Sequence, residues 1–197
     1  MNGWRLTGLL ALLLTAMVGG VLALHPDVEG LRQVIRATAR TSLVLFALAF
    51  GAAAMAELAP SDVTRWQRRN RRYLGVSFAV SHALHLAALI MLARLDAALF
   101  WVLTNLMTIA LAGTAYLFLA AMTMTSFDWT ARWLGARKWR LLHLVGSWYI
   151  WLSFATAVGK RLPQGPVYWA MMAIVIAIGV LRLIAMSRRS RVVLSTS

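Results

Sequence analysis

Six stretches of about twenty mostly apolar residues, separated by charge, proline or both, dictate what this 197-residue chain can fold into. At 1.5 Å of rise per residue, a helix of that length crosses a hydrocarbon layer of roughly 30 Å. Backbone N–H and C=O groups find no water there, so each crossing segment must satisfy its own hydrogen bonds as a helix. The stretches fall at residues 4–24, 38–58, 73–93, 99–122, 139–159 and 167–186. They predict an all-α, polytopic membrane protein, a six-transmembrane-helix bundle forming one domain over residues 1–197. Composition agrees: 61% of residues are hydrophobic and 13% charged, against roughly half and a quarter in soluble domains. The first stretch carries Arg5 at its start and has a small-residue end like a secretory signal. Its length and the five later stretches predict a retained helix instead.

The formal net charge of +14 would suggest nucleic acid in a soluble protein. Here the basic residues cluster between apolar stretches, which points to anionic lipid and excludes nucleic acid as the expected partner. Arg65, Arg68, Arg69, Arg71 and Arg72 lie between stretches two and three. Arg132, Arg137, Lys138 and Arg140 lie between four and five, and Arg188, Arg189 and Arg191 follow six. With six spans these clusters share one side, expected to be cytoplasmic, with both termini there. The opposite connections are less basic: Arg32 and Arg36 are offset by Asp27 and Glu29, and Arg94 by Asp96, while Lys160 and Arg161 stand alone. A bacterial inner membrane is the implied location.

Turn signals separate the spans at His25-Pro26-Asp27, Ala59-Pro60-Ser61-Asp62 and Leu162-Pro163-Gln164-Gly165-Pro166. His25 reads as a surface residue of its turn. Between Ser126 and Arg140, Trp129, Trp133, Leu134 and Trp139 suggest a short interfacial helix with Asp128 as its cap. The pair Gly19-Gly20 reads as a close helix-packing point.

The chain has no cysteine, so its own side chains supply neither disulfides nor thiolate metal sites. Ionisable residues within the spans are the functional candidates. Arg40, Glu57 and Arg182 lie near predicted span ends, where long side chains can snorkel. His82 and His85 sit three apart on the third span, and His143 is on the fifth. Two imidazoles from separate helices can hold a b-type haem between them. Packed helix histidines, or a quinone or proton-handling site, would use the same residues. With the predicted starts, His85 and His143 differ in depth by roughly 12 Å, and His82 and His143 by roughly 7–8 Å. One iron requires closely matched depths.

The segment Arg71-Arg72-Tyr73-Leu74-Gly75 followed by Ala83-Leu84-His85 resembles a signature of the ferric reductase-like transmembrane domain family. Thr125-Ser126-Phe127-Asp128, Leu134-Gly135 and Trp139-Arg140-Leu141-Leu142-His143 resemble that family's later segment, in the expected order. The resemblance implies a six-helix b-type cytochrome with iron-ligand positions at His85 and His143, while His82 stays a candidate ligand on depth alone. Members pass electrons through the membrane. One branch lacks a flavin domain, as this chain does. It takes electrons from a cytoplasmic flavin reductase or quinol and delivers them to a molybdenum-containing periplasmic reductase. Family members commonly carry another histidine about thirteen residues after the position of His143, and Thr156 stands there. One haem rather than two is the expectation, with flavin or quinone as further cofactors. Arg71 and Arg72 are placed to meet haem propionates or a donor's phosphate, or to anchor the cytoplasmic side. The competing expectation is a haem-free membrane structural or assembly partner, or a small transporter. No evident inverted repeat favours transport.

Overall fold

The computed structural model describes residues 2–195, and side chains through Arg188. The side chains of Arg189 and Arg191, counted above with the basic cluster, lie outside the described residues. Nine α-helices are present among the described residues: α1 (Trp4–Leu24), α2 (Val28–Leu58), α3 (Asp62–Arg69), α4 (Arg71–Leu95), α5 (Ala97–Leu103), α6 (Leu106–Met124), α7 (Asp128–Leu134), α8 (Ala136–Gly159) and α9 (Pro166–Ser195). Six of them (α1, α2, α4, α6, α8 and α9) are long and apolar enough to span a membrane. The chain is a multi-pass membrane protein built as a six-helix bundle.

Three departures from the expected helix pattern have a local reason. The second span starts at Val28 rather than residue 38, because the Asp27 side chain caps α2 by accepting from the Gly30 N–H at 2.9 Å. Glu29 then pairs along the helix with Arg32 at 2.8 Å and Arg36 at 2.5 Å, so these charges extend α2 instead of interrupting it. The predicted fourth span is two helices, α5 and α6. Thr104 turns extended and Asn105 caps α6 through the Thr108 N–H at 2.8 Å. The arginine-rich connection after span two contains α3, started by a capping box in which Ser61 and Thr64 exchange side chain-to-backbone bonds. Gln67 ties α3 to α2 by donating to the Leu48 carbonyl at 2.8 Å.

Helix α2 is the centre of the bundle, packed on α1, α4 and α9, while α8 packs on α6 and α9. Phe46 and Phe50 of α2 meet Phe78 of α4, Phe154 and Trp148 of α8, with ring centroids 5.2–5.4 Å apart in the closest pairs. Lipid tails are as apolar as these side chains, so close packing and ring geometry hold the helices together more than escape from water does. A second, smaller cluster at the far end joins Leu31 and Val34 to Ala88, Val18 and Val21.

A hydroxyl seam fixes α2 against α4. Ser81 meets Ser42 and Thr41, each at 2.9 Å, and donates weakly to the Thr38 carbonyl at 3.3 Å. Gly19 and Gly20, read from sequence as packing points, have no neighbour within 4 Å of an added Cβ and face outward. Close approach occurs elsewhere. A Cβ on Gly30 would lie 1.8 Å from the His25 carbonyl oxygen, and one on Gly179 would lie 2.8 Å from the Trp151 ring.

One end of the bundle gathers the basic residues. Trp4 stacks on Phe127 at 5.4 Å and edges onto Tyr73 at 5.3 Å, while Arg72 pairs with Asp128 at 2.8 Å. These contacts bring the starts of α1 and α4 to the α6–α7 connection. Asp128 is the first residue of α7 and pairs with Arg72; the cap position is Phe127, with no side-chain cap bond. Trp129 and Trp133 of α7 are 74% and 83% exposed, as an interfacial aromatic face requires.

Candidate functional site

The three span histidines occupy two layers. In the middle of the bundle, His82 and His85 lie side by side on α4, their rings nearly parallel with centroids 5.4 Å apart. Their helical spacing of three places them on one face. Tyr116 of α6 stacks on His82 at 4.7 Å and donates its hydroxyl hydrogen to the His82 carbonyl at 3.2 Å. Phe154 of α8 approaches the same ring at 6.0 Å. At the basic end, His143 stacks on Trp139 at 4.2 Å, and its Nε2 lies 3.2 Å from the Thr125 hydroxyl.

The separation of these layers can be read along two helices. On α6, Tyr116 marks the His82 layer and Thr125 the His143 layer, nine residues apart. On α8, Phe154 and His143 are eleven residues apart. At 1.5 Å per residue both rulers put the layers roughly 14–16 Å apart along the bundle. Starting α8 at Ala136, three residues before the predicted start, therefore leaves the depth mismatch in place.

The two axial ligands of one haem lie on opposite faces of the ring at one depth. Neither His85–His143 nor His82–His143 meets that condition, so these residues do not fit a bis-histidyl haem. The residue facing the middle layer from α8 is Phe154, which is 9% exposed. Thr156, the position of the missing family histidine, is exposed, and its hydroxyl donates to the Ser153 carbonyl at 3.0 Å.

A single axial histidine fits better. His85 Nδ1 lies 3.1 Å from the Ile35 carbonyl and 3.0 Å from the Thr38 hydroxyl. A carbonyl only accepts, so Nδ1 carries the ring hydrogen and Nε2 presents its lone pair. Thr38 supports this assignment, because its own hydrogen goes to the Val34 carbonyl at 2.6 Å, leaving its oxygen to accept. A ligating histidine anchored through its other nitrogen has this arrangement. At His143, by contrast, the Thr125 hydroxyl donates to the Ala121 carbonyl at 2.8 Å, so Nε2 is the group that donates to Thr125. His82 Nδ1 is buried with no hydrogen-bond partner.

Arg71 and Arg72 stand at the basic end, near His143 rather than His85. Arg71 is exposed. Arg72 is engaged by Asp128 and lies 5.6 Å over the Trp4 ring. Arg182 covers the Phe50 ring at 4.0 Å. Sequence reasoning missed Thr38, Tyr116 and Phe154, the groups that define the surroundings of the α4 histidines. The hydroxyls at 38 and 42, opposite those at 77 and 81, carried a detectable four-residue spacing. No cluster of three or more metal-ligating side chains occurs among the described residues. No family model, curated protein or solved structure matches this chain.

Proposed function

We propose that this chain is a membrane-embedded electron-relay subunit that takes one b-type haem on a single histidine, His85. The observation that carries the reading is the pair of contacts at His85 Nδ1: the Ile35 carbonyl and the Thr38 hydroxyl oxygen both call for Nδ1–H, which leaves Nε2 as a donor to iron. When bound, the haem supplies one-electron chemistry. The protein's contribution is to orient His85, to pack Tyr116 and Phe154 beside its neighbour His82, and to place positive charge at one end. The resemblance of the Leu74-Gly75, Leu84-His85 and Leu142-His143 segments to the ferric reductase-like family supports the same class.

On this reading the basic end is cytoplasmic, in line with the bias of Lys and Arg toward that side, and both termini lie there. The membrane is a bacterial inner membrane. Electrons arrive from a flavin reductase or quinol and leave toward a periplasmic reductase of the methionine sulfoxide type. Arg71, exposed beside the His143 layer, suits the phosphate of a flavin donor.

A reduced-minus-oxidised spectrum with haem quantified per polypeptide tests the proposal. One haem per chain is expected, lost in His85→Ala and retained in His143→Ala. Monodisperse protein without haem, after expression with ample haem supply, would overturn it. Phe154, in the position that would face the iron-binding histidines from α8, favours the alternative of a haem-free assembly partner. Under that alternative, His85→Ala leaves function intact.

A further inference from the structure

Arg40 belongs to a different environment from the one its sequence position suggests. Because α2 begins at Val28, Arg40 is not near a span end. Its neighbour Thr41 meets Ser81 of α4 at 2.9 Å, placing Arg40 level with the His82 layer. On the other side it shares a groove with Leu10, Leu13, Leu14 and Met17 of α1. Leu14 is the midpoint of α1, which runs from Trp4 to Leu24. Arg40 therefore lies at the middle of the bundle's apolar thickness, beyond snorkelling reach of either end.

The groove between α1 and α2 has a volume of about 390 Å³ and is otherwise lined by aliphatic side chains, Met17 and Thr41. Arg40 is exposed in it, and among the described residues it has no ion pair or hydrogen bond. A guanidinium held in hydrocarbon calls for a counter-charge at the same depth. This chain cannot provide one. Its six acidic residues are Asp27, Glu29, Glu57, Asp62, Asp96 and Asp128, all at helix ends or in connections. A second copy is thereby excluded as the source as well.

We infer that the α1/α2 groove docks a transmembrane helix of a different protein, one carrying an aspartate or glutamate near its middle. The carboxylate pairs with Arg40, and small apolar side chains beside it fill the groove between Leu13 and Val44. A neutral lipid-soluble ligand such as a quinone could accept a hydrogen bond but would leave the charge uncompensated, which is why the carboxylate helix is favoured. This inference is independent of the haem reading.

The absence of cysteine makes a direct test practicable. Val44→Cys, 48% exposed at the groove in the native chain, gives a single labelling site for a fluorescent donor. The full-length protein is reconstituted in phosphatidylcholine vesicles with a synthetic leucine–alanine helix of about twenty residues carrying a central Asp and an acceptor dye. Matched helices carry Asn or Leu instead. Association of the Asp helix should be at least roughly tenfold tighter than that of the other two, a difference typical of a specific interaction. Arg40→Leu, which removes a charge from hydrocarbon and keeps helix propensity, should abolish the preference. Arg40→Asp should transfer it to a helix with a central Arg. Equal association of all three helices with the native groove, or a preference that survives Arg40→Leu, overturns the inference. So does Arg40-dependent binding of a neutral quinone analogue without preference for the Asp helix.

Discussion

At the scale of single residues, the structure separates positions whose side chain is replaceable from positions whose backbone is not. Gly30 is of the second kind, since an alanine methyl would stand 1.8 Å from the His25 carbonyl oxygen in the α1–α2 turn. Gly30→Ala should destabilise the bundle by about 1–3 kcal/mol or more, the range for forced overpacking, measured by denaturant unfolding in detergent micelles. Ser81→Ala should cost about 0.6 kcal/mol per lost interhelical hydrogen bond; Thr41 keeps the Thr38 carbonyl as an acceptor, whereas Ser42 loses its Ser81 partner. Thr38→Val keeps shape while removing one of the two groups that hold His85 Nδ1. On the proposed function it should weaken haem retention roughly 10–100-fold, as loss of support for a metal-ligating imidazole does, read by haem transfer to apomyoglobin. The role of Gly30 was not visible in the sequence, and the four-residue spacing of the hydroxyls marks a polar stripe without showing what Thr38 and Ser81 hold. A glycine after a proline turn and two hydroxyls in apolar helices look ordinary until α2 and α4 are set side by side.

Among the elements, capping residues decided what apolarity alone did not. The existence of all six long helices was legible because twenty apolar residues have few alternatives in a chain of this composition. Their ends were less legible, because charge was read as a loop signal where Asp27 and Glu29 begin a helix. At the fourth span the apolar pattern runs through Thr104 and Asn105 without a mark, yet Thr104 ends one helix and Asn105 starts another. Asn105→Ala should destabilise the first turn of α6 by about 1 kcal/mol, seen as faster hydrogen exchange of the Thr108 amide while the centre of α6 is unchanged. Helix α3 escaped prediction because eight residues with three arginines and an aspartate among them show no apolar stripe. The Ser61 and Thr64 capping pair was its one local signature.

Across the whole molecule, contacts tie α1, α4 and α7 into one basic end, consistent with the charge arrangement read from sequence. Its orientation in a membrane is open to direct measurement. Single cysteines at Asp62 and Lys138 should label from the cytoplasmic side only, and those at Asp27 and Gln164 from the opposite side only. Labelling of all four from one side would refute the six-span arrangement. The candidate site was less legible than the topology. Spacing identified His82, His85 and His143, but depth depends on how α6 and α8 are shifted against α4. That shift is set by contacts such as Tyr116 with His82 and Thr125 with His143, which no single helix encodes. The hydroxyl seam between α2 and α4 has a consequence for how such a bundle can move. Ser81 engages Thr38, Thr41 and Ser42 together, so sliding α4 by one residue would forfeit these bonds at a stroke. The two helices are keyed like a dowel in its socket. A conformational step in this protein would therefore carry α2 and α4 as one body and find its moving joint among the helices that the seam leaves unlocked.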